Sequence, residues 1–273
     1  MYVIKRDGRL EKFDMMKIIH TCSRSGVPED VARNIAKEVQ NEIYNRIPSE
    51  EVYKIVLEKL KKFQRSNAYL YKLRDAVSYI EPTAFEKFTK RILDSMGYKS
   101  IWNMIIQGKC IDHQVDVVAE KESKKYLVEC KRHTNPHRFC GLGVGLQVQA
   151  RLEDILDGYK RGMNKYNFYR AWIFTNTKFS EHIIKYASAK NILLTGWRYP
   201  QGNGLENLIQ KSHLLPITLL PISKSLKITL QINNIITLKD FISSKRRTLE
   251  RLGISDNRIN SLKKLSQDML NKI

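Results

Sequence analysis

Two short extended segments and then a run of amphipathic helices occupy the first 80 residues. The segments YVIK and RLEKF flank Asp7-Gly8, a dipeptide that favours a tight turn between antiparallel strands. Asp14 and Ser49 are placed to cap two helices, and Gly26 is placed to end the first. Apolar residues recur every three or four positions, which predicts helices over 14–26, 28–45, 48–63 and 66–81. The pattern predicts a β-hairpin plus helical bundle.

Helical and strand-like stretches alternate after residue 82. An amphipathic helix over 83–98, with Thr83 as its cap and Gly97 at its end, comes first. A glycine-rich loop is predicted over 141–145. The predicted strands cover 100–109, 113–120, 124–133, 169–180 and 192–197, and two further helices cover 146–163 and 181–191. The order α-β-β-β-α-β-α-β predicts a mixed sheet flanked by helices.

From about residue 200 the chain becomes irregular and contains several glycines and prolines. Two helices are predicted after it, over 237–253 and 255–272, joined by a turn that begins at Gly253. The complete pattern predicts an α+β multidomain protein with a small C-terminal helical domain. We place the predicted domain boundaries at 1–80, 81–200 and 201–273.

Composition narrows the class of protein. Apolar residues make up 42% of the chain, as in ordinary globular proteins, so the sequence does not predict a disordered chain. No apolar run reaches the roughly 18 residues that a bilayer span needs, and the charged N-terminal segment lacks the apolar core of a signal peptide. The four cysteines form no CxxC pair, which argues against a zinc ribbon or a disulfide scaffold. We therefore expect a cytoplasmic protein with reduced thiols and no membrane partner.

The net charge indicates a polyanionic partner. Lysine and arginine total 48 against 28 acidic residues, which gives a formal net charge of +20. Such a charge attracts polyanions, and nucleic acid is the commonest of these inside cells. The alternative is that the charge serves solubility alone.

Three charged residues interrupt two strand-like segments that are otherwise apolar. Asp116 lies between two valines, and Glu129 and Lys131 flank a cysteine on the next predicted strand. Because alternate residues of a strand share a face, Glu129 and Lys131 point the same way, and pairing of the strands would bring Asp116 to them. Two close carboxylates need a cation between them, and a divalent metal with oxygen ligands is suited to that position. Such a metal would stabilise charge on a phosphate oxygen and lower the pKa of a bound water, while the lysine would orient that water or stabilise the transition state.

A further carboxylate is available from Glu86, in the helix that precedes these strands. The same pattern of charges also occurs as a cross-strand ion pair at a sheet edge, which is the ordinary structural interpretation. The helix-strand-strand order and the basic charge both favour the catalytic interpretation.

Four segments together resemble a known family over about residues 84–197. FEKFTKRILDSMGY, HQVDVVAE, YLVECKRH and AWIFTNTKFSEHIIKYASAKNI are similar to the Mrr-type branch of the PD-(D/E)xK nucleases. The resemblance implies that Asp116 and Glu129 bind the metal. It also implies that Lys131 is the catalytic lysine and that Glu86 is the acid carried by the helix.

Other positions of the same segments are candidates for contact with DNA. Gln147 and Gln149 resemble a glutamine that such nucleases often carry on the next helix, although either could instead face solvent or cap a strand edge. His113-Gln114 stands where the family often has a glycine. His113 could contact the substrate or be an ordinary polar residue at a strand start.

The segment YVIKRDGRLEKFDMMKI resembles the ATP-cone, the nucleotide-sensing module of ribonucleotide reductases and their repressor. The resemblance implies triphosphate binding by Lys5, Arg6, Gly8 and Lys17, with further nucleotide contacts from Glu11 and Ser49. A glycine lets the backbone approach a ligand, and paired cations suit a triphosphate. The alternative is a charged hairpin with a solvated face. Since GLGVG at 141–145 does not match the P-loop pattern GxxxxGK(S/T), we expect ATP to act as an effector rather than as fuel.

The two C-terminal helices weakly resemble a helix-hairpin-helix DNA-binding unit. The usual hairpin has two glycines, whereas LGISDN has one. Lys245, Arg246 and Arg247 would supply phosphate contacts, and a solvated helix face is an equal alternative.

The sequence thus predicts a metal-dependent DNA endonuclease of the restriction, defence or repair type. We expect Mg²⁺ or Mn²⁺ as cofactor, ATP or dATP as effector, DNA as substrate and a homodimer as the assembly. The alternative is a nucleotide-sensing DNA-binding regulator that does not cleave. The intact set of Asp116, Glu129 and Lys131 favours the enzyme.

Overall fold

A computed structural model describes residues 1–5 and 7–273, which form two compact units. One unit consists of Met1–Leu73 together with Ile254–Ile273, and the other is Arg74–Gly253. The predicted α+β class is confirmed, whereas the division into three domains stays a prediction. No helix in the described part of the chain combines the length and the apolar character that a bilayer span requires.

The first unit opens with the predicted hairpin. Strands β1 (Tyr2–Ile4) and β2 (Leu10–Lys12) pair antiparallel. Gly8 has a φ of +82°, a left-handed conformation that favours glycine in the turn. A third strand, β3 (Ile47–Pro48), pairs parallel to β1. The sequence did not predict β3, because two residues are too few to show an alternating pattern.

Four helices pack beside this small sheet: α1 (Met15–Arg24), α2 (Glu29–Glu42), α3 (Ser49–Phe63) and α4 (Arg65–Tyr71). Asp14 caps α1 as predicted, since its side chain accepts a hydrogen bond from the Met16 N–H at 2.9 Å. The apolar spacing of α2 is also confirmed, because Ile35 and Val39 are buried in the core of this unit with Leu60 of α3.

Two details of this segment differ from the prediction. Ser49 is the first residue of α3 rather than its cap, and the N-cap is Pro48, which pairing with β1 holds in an extended conformation. The single helix predicted over 66–81 is interrupted at Lys72, where a tight turn separates α4 from α5 (Leu73–Ser78). Side-chain periodicity continues through this turn and therefore does not reveal it.

The second unit contains the predicted five-stranded mixed sheet. Helix α6 (Pro82–Ser95) precedes it, with Glu81 as N-cap, so Thr83 lies inside the helix rather than capping it. The strands are β4 (Lys99–Gln107), β5 (Asp112–Lys121), β6 (Lys124–Lys131), β7 (Phe139–Cys140), β8 (Phe168–Thr175), β9 (Lys178–Phe179) and β10 (Leu193–Thr195). The order across the sheet is β10-β8-β6-β5-β4, while β7 and β9 pair with each other. Strands β4, β5 and β6 are antiparallel, and β6, β8 and β10 are parallel.

Two long connections carry the helices α7 (Leu142–Lys160) and α8 (Glu181–Lys190), which pack against the sheet. Val118, Leu127 and Ile173 of the strands form one buried core with Ile155 of α7 and Ile183 of α8. Burial of these side chains holds α7 against β5 and β6, the strands that carry the predicted metal ligands.

The glycine-rich stretch is helical, contrary to the loop that the sequence predicts. Gly141 is the N-cap of α7, and Gly143 and Gly145 lie inside the helix. A Cβ atom on Gly145 would lie 3.3 Å from the Ile183 side chain, tighter than ordinary van der Waals contact. Glycine here serves close packing of α7 on α8, a tertiary requirement that local propensity does not reveal.

Residues 201–253 complete the second unit. The part predicted to be irregular includes α9 (Leu205–Lys211), a 3₁₀ turn (Ile217–Leu219) and α10 (Lys224–Ile232). The helix predicted over 237–253 is two helices, α11 (Leu238–Ser243) and α12 (Arg246–Arg251), because Ser244 is extended and ends the first. Thr218 donates to the Ala76 carbonyl at 2.7 Å, and the Gln231 side chain accepts from the Glu81 N–H at 2.8 Å.

The last helix, α13 (Asp256–Leu270), belongs to the first unit, where it contacts α4. The Lys272 ammonium just beyond it donates to the Gln64 side chain at 2.7 Å. Gly26 ends α1 as predicted and has a φ of +78°. A Cβ atom at this glycine would lie only 2.9 Å from the Lys272 carbonyl oxygen, so the C-terminal residues close over the end of α1.

Substituting Gly26 by alanine should test this contact. The variant combines an unfavourable positive φ with a steric clash, and we expect it to lose about 2–4 kcal/mol of unfolding free energy. Gly8 also has a positive φ, but a Cβ atom there would meet no heavy atom within 4 Å. Gly8→Ala should therefore lose only about 1–2 kcal/mol of unfolding free energy. Chemical denaturation followed by circular dichroism measures both. Equal losses would show that the C-terminal residues do not constrain Gly26.

Candidate functional site

The pairing of β5 with β6 brings two of the predicted metal ligands together. The antiparallel ladder ends with Val117 opposite Val128, and extending its register by one residue brings Asp116 opposite Glu129. The Cys130 N–H donates to Asp116 Oδ2 at 2.7 Å, which fixes the orientation of that carboxyl group. Residues directly opposite each other in an antiparallel pair project to the same face. The two acids therefore share one face at the end of the strand pair.

The surroundings of Asp116 disfavour its negatively charged form. Burial and the negative charge of Glu129 raise the pKa of Asp116 to about 7, and Glu86 adds to the rise. The hydrogen bond from Cys130 and the positive charge of Arg151 oppose it. A carboxyl group whose pKa is raised to about 7 by burial and by a neighbouring acid is suited to binding a metal ion, which would favour its charged form.

Glu86 reaches the same site from α6. Trp102 of β4 donates its indole N–H to Glu86 Oε2 at 2.8 Å. Burial raises the pKa of Glu86, the hydrogen bond from Trp102 opposes the rise, and the charge of Glu129 adds to it. The structure thus couples Glu86 electrostatically to both strand acids, while Trp102 fixes one of its oxygens.

The cation beside Glu129 is Arg151, a residue that no sequence motif singles out. Its Nη1 donates to Glu129 Oε2 from the middle of α7. One arginine among the many of a basic sequence gives no signal, because only the packing of α7 on the sheet brings it to the strand end.

Lys131 ends β6 two residues after Glu129, where it pairs in register with Thr175 of β8. Strand alternation places it on the same face as Glu129. Its side chain is exposed, and among the described residues it has no hydrogen bond or ion pair. The ammonium group is therefore available to a ligand at the strand end.

The donor set fits a divalent metal ion with oxygen ligands. Asp116 and Glu129 supply carboxylates that repel each other. The positively charged guanidinium of Arg151 already pairs with Glu129 in the absence of a metal. No group of three histidine, cysteine, aspartate or glutamate side chains converges closely enough to hold a metal within residues 1–5 and 7–273. Two protein carboxylates with water or substrate oxygens are a usual arrangement for Mg²⁺.

Two other predicted residues have partners elsewhere. His113 Nε2 lies 2.8 Å from Asp154 Oδ2 of α7. The same carboxyl group accepts from the Cys110 N–H at 2.9 Å, so it holds the turn between β4 and β5. Hydrogen bonds led by that of the Cys110 thiol lower the pKa of Asp154 to about 2. His113 therefore has a structural partner, and its contact with DNA stays a prediction.

The two glutamines of α7 differ in their surroundings. Gln147 is exposed. The Gln149 amide donates to Glu153 Oε1 at 2.7 Å, and its own buried Oε1 has no hydrogen-bond partner among the described residues. A buried acceptor without a donor is costly, so Gln149 retains the capacity to bind a ligand donor.

A basic loop follows Lys131 directly. We use this name for residues 132–138, RHTNPHR, between β6 and β7. Asn176, which is fully buried, accepts from the His133 N–H and donates to the His133 carbonyl, each at 2.8 Å. Arg74 donates to the Pro136 carbonyl at 2.5 Å. The loop is thus held at His133 and at Pro136, which the sequence does not reveal because both anchoring residues lie far away in the chain.

In the first unit, most of the predicted nucleotide-binding residues lie at one end of the hairpin. Glu11 accepts from the Lys17 ammonium at 2.5 Å and lies 3.8 Å from the Lys5 ammonium, so one carboxylate holds both lysines. The hydrogen bond from Lys17 lowers the pKa of Glu11. Ser49 follows the β3 residue that pairs with Ile4, which places it beside Lys5. Gly8 lies in the turn, and Arg6 is outside the described residues.

The three predicted C-terminal cations lie together at the start of α12. Lys245 is the N-cap, and Arg246 and Arg247 are the first two helical residues. All three side chains are exposed. Contact with DNA phosphates stays a prediction for them.

Three family models match the chain. Residues 1–81 match the ATP cone domain, residues 77–197 match the Mrr_cat restriction endonuclease domain, and residues 215–270 match the AF1548-like C-terminal domain. These matches confirm the two resemblances drawn from the sequence.

Individual proteins match in the same segments. An uncharacterized protein of Archaeoglobus fulgidus is 38% identical over 165 residues, which is 60% of this chain and 90% of that protein. The crystal structure of a protein of unknown function, AF1548, superimposes with a TM-score of 0.60 at 32% identity and covers 71% of this chain and 100% of its own. The transcriptional repressor NrdR of Caldicellulosiruptor saccharolyticus is 41% identical over 68 residues, 22% of this chain and 44% of the repressor.

Replacing Asp116 by asparagine should stabilise the metal-free protein in a pH-dependent way. Since the folded-state pKa of Asp116 is raised to about 7 from 3.8, folding favours the protonated form, and stability is lost as the pH rises through this range. Asparagine removes that loss and can still accept the Cys130 hydrogen bond. We expect a gain of up to about 4 kcal/mol at pH 8 and little change at pH 4.

Urea denaturation in EDTA at both pH values measures the effect. Asp112→Asn, an exposed position at the start of the same strand, is the matched control and should show no such trend. A gain that is the same at pH 4 and pH 8 would contradict a raised pKa at Asp116.

Proposed function

Because this chain belongs to the AF1548-like family and itself carries an ATP cone domain, an Mrr_cat restriction endonuclease domain and an AF1548-like C-terminal domain, we propose that it is a metal-dependent DNA endonuclease regulated by ATP or dATP. The observation that carries the proposal is the pair of opposed acids, Asp116 and Glu129, with Lys131 on the same strand face. An ion pair at a sheet edge would not need two facing acids.

Each residue has a distinct task in the proposed reaction. Asp116 and Glu129 would hold Mg²⁺ or Mn²⁺, which when bound supplies charge stabilisation at phosphate and a water of lowered pKa. Lys131, whose ammonium is exposed at the strand end, would orient the attacking water or stabilise charge on the phosphate. Glu86 would support the centre from α6, with Trp102 fixing its position.

The DNA would be held by cations around this strand end. The basic loop has no acidic residue and begins next to Lys131, so it is suited to phosphates beside the scissile bond. We further assign DNA contacts to Gln149, which has an unsatisfied acceptor, and to the exposed cations Lys245, Arg246 and Arg247. A homodimeric assembly and a cytoplasmic location stay predictions.

Nucleotide regulation would begin at the hairpin. Glu11 holds Lys5 and Lys17 close together, and the phosphates of a nucleotide would take over both ammonium groups. Ser49 would add a hydroxyl donor from the start of α3. Since the sequence has no P-loop, the nucleotide is proposed to act without being hydrolysed.

A second candidate function is a nucleotide-sensing, DNA-binding regulator that does not cleave. The similarity of one segment to the transcriptional repressor NrdR favours it. That similarity spans only 44% of the repressor, and the opposed acids have no evident task in a protein that only binds DNA. A cleavage assay separates the two candidates.

We expect the protein to cleave DNA with Mg²⁺ and not with EDTA. Asp116→Ala or Glu129→Gln should reduce the rate roughly a thousandfold, because a bound metal contributes several kcal/mol to the transition state. Glu120→Gln, four residues from Asp116 on the same strand, is the matched control and should retain activity. Plasmid and branched DNA are the substrates to compare. Full activity of Asp116→Ala would contradict the assigned centre.

ATP or dATP should raise the thermal midpoint of the full-length protein. A ligand at a hundredfold excess over its Kd stabilises the folded state by about 2.7 kcal/mol. Lys17→Ala should abolish the rise, because it removes one of the two clustered cations. Lys37→Ala removes an exposed charge from α2 and should leave it intact. Differential scanning fluorimetry with millimolar nucleotide is the measurement. No shift in the wild type would leave the hairpin without a nucleotide-binding role.

A further inference from the structure

Arg151 forms an ion pair with Glu129, one of the predicted metal ligands. Its guanidinium donates to Glu129 Oε2, and the two side chains are 25% and 17% exposed. The arginine comes from α7 and the acid from β6, so packing of the helix on the sheet imposes the pair. Ion pairs on exposed surfaces contribute little, but the components of a largely desolvated pair are costly to separate. This contact therefore contributes to the stability of the metal-free protein.

The ion pair and a bound metal compete for the charge of Glu129. A hard divalent cation binds carboxylate oxygens through one or both atoms, and the guanidinium already holds one of the two oxygens of Glu129. A full positive charge a few ångströms away also repels an incoming dication, and such repulsion is strong where water is largely excluded. Metal binding at Asp116 and Glu129 therefore favours release of the Arg151 guanidinium.

A displaced guanidinium needs another anion. Leaving a partly buried charge unpaired is unfavourable, so Arg151 would not stay in place without a partner. The substrate brings phosphate groups to the same strand end, and a guanidinium binds phosphate through two parallel hydrogen bonds. The side chain already has a quarter of its surface in solvent, so it can reach a bound ligand.

On the basis of the proposed metal-dependent function, we infer that Arg151 is an exchangeable counter-ion. It neutralises Glu129 in the metal-free protein, is displaced when the metal binds, and then binds a phosphate of the DNA. Arg151 is thus both a competitor of the metal and the residue that couples metal binding to DNA binding.

Isothermal titration of the metal-stripped full-length protein with Ca²⁺ tests the competition. Arg151→Gln should bind Ca²⁺ on the order of tenfold more tightly than the wild type, the scale on which one nearby charge shifts an ionic equilibrium. Arg151→Lys keeps a competing charge and should stay within about threefold of the wild type. Arg161→Gln removes the same charge from the exposed end of α7 and should have no effect.

Fluorescence anisotropy with a labelled DNA duplex tests the coupling. Ca²⁺ should tighten DNA binding by the wild type, and about tenfold of that gain should be lost in Arg151→Gln. In Arg161→Gln the gain should be retained. An equal gain in all variants would overturn the phosphate-binding part of the inference.

Nuclear magnetic resonance of the unmodified protein gives a test that does not depend on how the variants fold. The Arg151 Nε–H signal, assigned by its loss in Arg151→Lys, should shift when Ca²⁺ is added. An unchanged signal with Ca²⁺ bound, or an Arg151→Gln protein that binds Ca²⁺ no more tightly than the wild type, would overturn the exchange alone. Absence of Ca²⁺ binding by the wild type and by Arg151→Gln would overturn the metal-dependent function as well.

Discussion

Two carboxyl groups, Asp116 and Glu129, meet on neighbouring strands of a buried sheet, where burial and the charge of Glu129 raise the pKa of Asp116. The strand register imposes this proximity, and the hydrogen bond from Cys130 prevents Asp116 from turning away. Three things can relieve the repulsion: a proton retained on Asp116, the ion pair of Glu129 with Arg151, or a bound metal ion. The first two are visible in the raised pKa of Asp116 and in the arginine contact. The third would give the site its chemistry.

Helix α7 determines how that repulsion is balanced. It carries Arg151 to Glu129, and three residues later Asp154 holds the turn that leads into β5. The helix can lie this close to its neighbours because of glycine. A Cβ atom on Gly145 would crowd α8, and one on Gly158 would lie 2.8 Å from the backbone of the β4–β5 turn. Substitutions at these glycines would therefore affect the position of Arg151 and of β5 without touching the two acids.

The strands of the sheet and the meeting of the two acids could be predicted from the sequence, because strand alternation is a local pattern and strands that are consecutive in the chain commonly pair. The hairpin before α1 is also a local pattern, whereas the proximity of Lys5 and Lys17 was expected from the resemblance to the ATP-cone. The position of Arg151 could not be predicted, because it depends on how α7 packs. The glycine-rich start of α7 was predicted as a loop for a related reason, since the packing that requires glycine there comes from α8, some 40 residues later in the chain.

The most direct test of the central claim is anomalous diffraction from crystals of the full-length protein grown with Mn²⁺. If the opposed acids form a metal centre, an anomalous peak lies about 2.0–2.6 Å from carboxylate oxygens of both Asp116 and Glu129. The Arg151 guanidinium no longer contacts Glu129 in that structure. A crystal in millimolar Mn²⁺ that has no peak between the two acids and keeps the arginine contact would contradict the account.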